Sequence, residues 1–172
     1  MSPGTRYIDD IGLTVSGDSP EDNCRAIEQL HALAAESWAA THGAKFETTK
    51  YELIHFTRNP KHARSGASVM LGQTQITPSN AVRYLGVHLD RQLRWRQQME
   101  AVVTRGKKSI GALRQLSRST WGISLGNMRK AYQAIVIPQL LYASSIWYGS
   151  GKGKKWMVDR LSSLQHEAGV VI

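Results

Sequence analysis

Asp9 and Asp10 are adjacent carboxylates ending the run Tyr7-Ile8-Asp9-Asp10. Mg²⁺ prefers hard oxygen ligands and keeps waters that substrate phosphates can replace, so an acidic pair of this kind suits metal-assisted phosphoryl transfer. The flanks, Arg6 to Asp9 and Ile11 to Val15, are rich in β-branched and aromatic residues. They predict a hairpin with the acidic pair at its reversal, where carboxylates project toward solvent or substrate. An ordinary acidic turn satisfies the same four residues, so the rest of the chain must discriminate.

Downstream, Ser16-Gly17-Asp18 ends the strand. Ser19 then offers an N-cap, Pro20 a first-turn proline, and Glu21 and Asp22 acids for the positive helix end. A helix is expected from about Pro20 to His42, with Ile27, Leu30, Ala34 and Trp38 on the packed face, Leu33 beside them, and Gly43 as its stop. Lys45 to Thr57 reads as extended, with a turn near Thr48-Thr49 and a mostly buried strand through Tyr51, Leu53, Ile54 and Phe56. Residues 61–67 read as a basic surface loop. A short hairpin follows around Gly72-Gln73, and Ala81 to Leu89 reads as a third extended run ending near Asp90.

Beyond residue 90 the pattern is helical. From Leu93 to Arg118, Met99, Val102, Val103, Ile110, Leu113 and Leu116 follow helical spacing, while Arg94, Arg96, Arg105, Lys107, Lys108, Arg114 and Arg118 crowd the other faces. A second helix is expected from Leu125 to about Tyr148, kinked by Pro138. A third runs from about Lys154 to Val170, with Val158, Leu161, Leu164 and Ala168 on one side. The fold class read from these elements is α+β: a strand-and-helix region at 1–90 and an all-helical three-helix region at 91–172.

The 172 residues carry a net charge of +9, with 41% hydrophobic residues and one cysteine, Cys24. That size and composition favour a folded chain of one domain or two small lobes. A lone cysteine excludes an internal disulfide, and the six histidines show no ligand-like spacing. No stretch approaches a membrane span and Met1 to Gly4 does not read as a signal peptide, so the expectation is a soluble intracellular protein. Charge divides sharply. Residues 1–60 hold 5 Lys/Arg against 9 Asp/Glu, and residues 61–172 hold 17 against 4. An acidic metal-binding part joined to a basic part suits a polyanionic backbone as partner.

An acidic hairpin, a packed helix, a lysine-bearing strand, a small hairpin and a helical bundle, in this order, resemble the reverse transcriptases of non-LTR (LINE-type) retrotransposons. Tyr7-Ile8-Asp9-Asp10 resembles their catalytic palm motif. Gly43-Ala44-Lys45-Phe46-Glu47 with Lys50-Tyr51-Glu52 resembles the palm motif that contains a lysine, and Val82-Arg83-Tyr84-Leu85-Gly86-Val87 resembles the segment gripping the primer end. Leu116-Ser117-Arg118, Trp121-Gly122, Tyr132, Pro138, Tyr142, Trp147 and Leu164-Gln165 are similar to the thumb of these elements.

The resemblance implies RNA-directed DNA polymerase activity in the intact parent, by two-metal nucleotidyl transfer with Mg²⁺ or Mn²⁺. Asp9 would be the main metal ligand, with Asp10 supporting. Lys50 would act as general acid toward departing pyrophosphate, and Tyr7, on the strand face of Asp9, would border the primer terminus. Tyr84, Leu85 and Gly86 would meet the primer, and Arg94, Arg105, Lys107, Lys108, Arg114 and Arg118 would follow phosphates. Trp121, Trp147 and Trp156 read as bundle core. The implied partners are an RNA template, a DNA primer or RNA–DNA hybrid, and a dNTP, with a nuclear location. The family's third palm carboxylate lies upstream of its catalytic motif, and here only six residues precede Tyr7. The expectation is therefore a C-terminal palm-and-thumb fragment, inactive alone. The alternative is a non-catalytic basic nucleic-acid-binding remnant or pseudogene product.

Overall fold

A computed structural model describes residues 5–7, 10–57, 59, 62, 65–116, 122–149 and 155–171, with side chains for these except residues 5–7 and 171. The chain is mixed α and β, in two compact units. One comprises residues 1–83 and 90–94, the other residues 84–89 and 95–172.

In the first unit, β1 (Thr5–Tyr7) pairs antiparallel with β2 (Asp10–Gly12), matching Thr5 to Gly12 and Tyr7 to Asp10. Helix α1 (Pro20–Leu30) starts where the sequence places it: the Asp22 N–H donates to Ser19 Oγ at 3.1 Å. That bond satisfies one of the donors a helix start leaves open. The helical path continues to His42, but through a wide π-helical stretch, His31–Glu36, before α2 (Ser37–His42). Gly43 terminates it at φ 62°, a left-handed conformation that suits glycine.

The wide turn corrects the expected packing face. Cys24, His31, Ala35 and Ala39 are buried, whereas Leu33, Ala34 and Trp38 are exposed. A π turn takes up an extra residue, so beyond it the inward positions fall one place later than an unbroken 3.6-residue repeat sets them. Trp38 stacks instead on His42, with ring centroids 4.7 Å apart.

β3 (Val69–Leu71) and β4 (Thr74–Ile76) form the expected hairpin across Gly72-Gln73, with buried Val69 opposite buried Ile76. These two residues join Cys24 and Leu53 in the unit's core, flanked by Ile27, Tyr51, Ala67 and Leu71. Glu28 binds the helix to the sheet by accepting from the Met70 N–H at 2.6 Å. The expected buried strand at 51–56 is reduced to one parallel bridge, Leu53 to Pro78, and Phe56 is exposed. Ala81 to Leu89 is likewise not one run. β5 (Ala81–Tyr84) and β6 (Val87–Asp90) form a two-stranded sheet that reverses at Leu85-Gly86.

The second unit is built on α3 (Arg96–Leu116), a broken helical path, and α7 (Lys155–Val171). The path comprises α4 (Leu125–Ala131), a π-helical stretch Tyr132–Val136, α5 (Ile137–Leu141) and α6 (Ser144–Trp147). Its core gathers Met99, Val102, Ile110, Leu113, Met128, Val136, Leu140, Trp147, Met157, Leu164 and Ala168. Trp147 is core as expected, and Trp156 packs against that core. Leu116 and Val158 are exposed instead, and Met157 takes the inward position on α7. Pro138 lies in α5 directly after the π-helical stretch Tyr132–Val136, inside a continuous helical path, and the path breaks later, at Tyr142-Ala143, with Ala143 at φ 51°. Among the described residues no helix is long and apolar enough to cross a membrane.

Candidate functional site

The sequence-derived candidates fall on both units. In the first, the antiparallel pairing that matches Tyr7 with Asp10 closes the β1–β2 hairpin, and Asp10 is exposed at the start of β2. Ile8 and Asp9 lie outside the described residues, as do Arg118 and Trp121. The carboxylate donors of Asp9 and Asp10 suit a hard divalent cation. Among the described residues no group of three or more His, Cys, Asp and Glu side chains is gathered to hold a metal ion, and of the acidic pair only Asp10 is described.

Lys50 ends a 3-10 turn, Thr48–Lys50, with its side chain exposed. Glu47 builds this turn. Its Oε1 accepts from Thr49 Oγ1 at 2.8 Å and from the Thr49 N–H at 3.5 Å, and the Lys50 N–H donates to the Glu47 carbonyl at 3.1 Å. The Thr49 side-chain and backbone bonds hold the Glu47 carboxyl below the usual range. Behind the turn, Tyr51 Oη lies 3.0 Å from His31 Nε2, and burial, then the Glu36 charge, pushes the phenol up. Arg94, also exposed, has its N–H bound to Asp90 Oδ1 at 2.9 Å.

The second unit holds the other candidates. Tyr84, Leu85 and Gly86 form the β5–β6 reversal, with Leu85 at φ 47° and Gly86 at φ 78°. On α3, Lys107, Lys108 and Arg114 are exposed, while half-buried Arg105 donates through Nε to the Ala101 carbonyl at 3.3 Å. At about 100° per residue these cations do not share one face: Lys107 and Arg114 project within about 20° of each other, while Lys108 and Arg105 turn away. Arg96, one of the basic residues the sequence sets on this helix, shares the flank of Lys107 and Arg114. From Arg96 to Arg114 that stripe runs about 27 Å at about 1.5 Å per residue. Among the described residues none of its three cations forms an ion pair.

The charge split becomes clearer on the structural units. Residues 1–83 and 90–94 hold 10 Lys/Arg and 10 Asp/Glu, whereas residues 84–89 and 95–172 hold 12 against 3. The whole net charge of +9 belongs to the helical unit.

Comparison with known proteins bears on the same residues. The chain is 24% identical, over 92% of its length, to a retrovirus-related Pol polyprotein from the type-1 retrotransposable element R1 of Nasonia vitripennis, covering 48% of that protein. It is 24% identical, over 96% of its length, to a probable RNA-directed DNA polymerase from transposon X-element of Drosophila melanogaster, covering 18% of it. The RNA-directed DNA polymerase from mobile element jockey of Drosophila funebris is 25% identical over 82% of the chain, which covers 15% of that relative. The chain is similar to non-LTR retrotransposon polymerases. It spans about half the length of the R1 relative and less of the others. No family model matches the chain, and no solved structure matches it significantly. The resemblance to retrotransposon polymerases thus extends well beyond the acidic hairpin, through the helical unit.

Proposed function

We propose that this chain is the palm-and-thumb part of a retrotransposon RNA-directed DNA polymerase, acting on an RNA template, a DNA primer and a dNTP in the nucleus. In this reading the first unit is palm-like and contributes Tyr7, Asp9, Asp10 and Lys50. The second is thumb-like and follows the phosphates of an RNA–DNA hybrid.

The observation that carries the proposal is the placement of charge. A net charge confined to the helical unit, with Arg96, Lys107 and Arg114 along one flank that also carries Glu100 and, among the described residues, in no ion pair, supports a surface that tracks a polyanion. A-form hybrid is gripped by charge and shape, not by base edges, which suits a stripe of long cationic side chains. Asp9 and Asp10 would hold Mg²⁺ or Mn²⁺, and the bound metal would supply Lewis-acid assistance to nucleotidyl transfer. In this reading Lys50, exposed at the end of its short turn, would give a proton to the departing oxygen.

Two measurements test this. The full chain is expected to bind an RNA–DNA hybrid and to lose affinity steeply between low and physiological salt, and absence of binding at low salt would refute the reading. In an active polymerase containing this segment, Asp9→Ala is expected to lower primer extension about a hundredfold or more, and unchanged extension would remove Asp9 from the site.

A further inference from the structure

The reversal at Leu85-Gly86 has a backbone that its own sequence does not favour. A two-residue hairpin turn with positive φ at both central residues normally takes Asn-Gly or Asp-Gly, and a leucine at φ 47° is strained there. Two side chains of the same helical unit hold it. Tyr142 Oη donates to the Leu85 carbonyl at 2.9 Å. Gln98, fully buried on α3, accepts the His88 N–H through Oε1 at 2.9 Å, and among the described residues its Nε2 has no hydrogen-bond partner. Keeping a buried amide half-satisfied is costly, so its one bond to β6 marks a position the fold maintains.

Tyr142 is itself fixed from the core. It sits where the helical path breaks between α5 and α6, and buried Trp147 donates from Nε1 to the Tyr142 carbonyl at 2.8 Å. Its ring closes over Gly86, where an added Cβ would lie 3.3 Å from Tyr142 Cε1. A continuous link therefore runs from Trp147 in the core, through Tyr142, to the hairpin tip.

We infer that Tyr142 is a positioning residue: its hydroxyl and ring hold Leu85-Gly86 in the left-handed turn, so that the tip is carried preformed by the unit that bears the basic stripe. The consequence for a nucleic-acid strand meeting that tip rests on the polymerase reading above, but the pinning itself does not.

Hydrogen–deuterium exchange on the full chain tests it. Tyr142→Phe keeps the ring and removes the donor. Residues 84–89 are expected to exchange about five-fold faster, the equilibrium equivalent of one ordinary hydrogen bond, while the α3 core amides keep their protection. Adding Leu85→Asn, which tolerates the left-handed region, is expected to bring exchange back to within about two-fold of the parent. Gly86→Ala, which strains φ 78° and crowds the ring, should loosen the same peptide with the hydroxyl intact. Unchanged tip exchange in either single variant, or loosening that Leu85→Asn leaves in place, overturns the inference.

Binding supplies the second arm. Tyr142→Phe is expected to weaken recessed-end RNA–DNA hybrid binding about five-fold with an unchanged salt slope, because no phosphate contact is lost. Unchanged affinity alongside a loosened tip would deny the tip's role in binding. Failure of the parent chain to bind hybrid would instead refute the polymerase reading, and the exchange data on the free chain would still decide the pinning.

Discussion

Cys24 and Tyr51 set an alkaline limit on stability. Burial raises the Cys24 thiol from an ordinary value of 9.0, and burial followed by the Glu36 charge raises the Tyr51 phenol from 10.0. Above those values the unfolded chain releases protons that the folded chain retains, so the folded state binds more protons and stability falls as pH rises. Thermal melts are expected to hold steady between pH 7 and 8 and to drop above about pH 9. Cys24→Ala should reduce the part of that drop that begins first, and an identical pH profile in this variant would contradict the assignment. Gly106 illustrates packing of a different kind. A Cβ there would lie 2.5 Å from Leu164 Cδ2 and 2.8 Å from Leu140 Cδ2, so the helix surface is flat because two leucines fill the space. Gly106→Ala gains about 1 kcal/mol of helix propensity against that crowding. Gly106→Val adds bulk and β-branching, and is expected to cost about 2 kcal/mol, read as a fall in melting temperature. A neutral Gly106→Val would show that α3, α5 and α7 pack less tightly there than the distances state.

Helix starts, stops and one hairpin were readable because their determinants are local. Ser19 caps α1, Gly43 ends α2, and Gly72-Gln73 turns β3 into β4, each by chemistry within a few residues. The acidic hairpin was readable for the same reason. What escaped depends on distant partners. The π turn at His31–Glu36 displaced the buried stripe of the first long helical path, and no periodicity count anticipates an extra residue in one turn. The reversal at Leu85-Gly86 escaped because Leu-Gly is a poor turn pair on its own and depends on Tyr142, 57 residues later. Gln98, a polar residue on a helix crowded with cations, carries no local signal of its burial, which its bond from the distant His88 N–H accompanies. On α3 the sequence identified the basic faces but not which cations align, and helical projection separates Arg96, Lys107 and Arg114 from Arg105 and Lys108. Neutralising Lys107 and Arg114 to Gln is therefore expected to lower the magnitude of the salt slope for hybrid binding by about 2, with Lys108→Gln changing it less. Equal effects for all three would deny the stripe.

Across the whole chain, one unit is electrically balanced while the other carries the full +9. Concentrated like charge repels itself and is best explained by a partner that neutralises it. The similarity to retrotransposon polymerases over 92% and 96% of the chain in two relatives makes nucleic acid the natural candidate. The deciding measurement is the affinity of the full chain for a recessed-end RNA–DNA hybrid across a salt series at constant pH. With three aligned cations engaged, the slope of log affinity against log salt is expected to be about −2 to −3 or steeper, and to become shallower by about 2 to 3 when Arg96, Lys107 and Arg114 are all changed to Gln. A flat dependence in the parent chain, or an unchanged slope in the triple variant, would contradict a helical unit that grips phosphates.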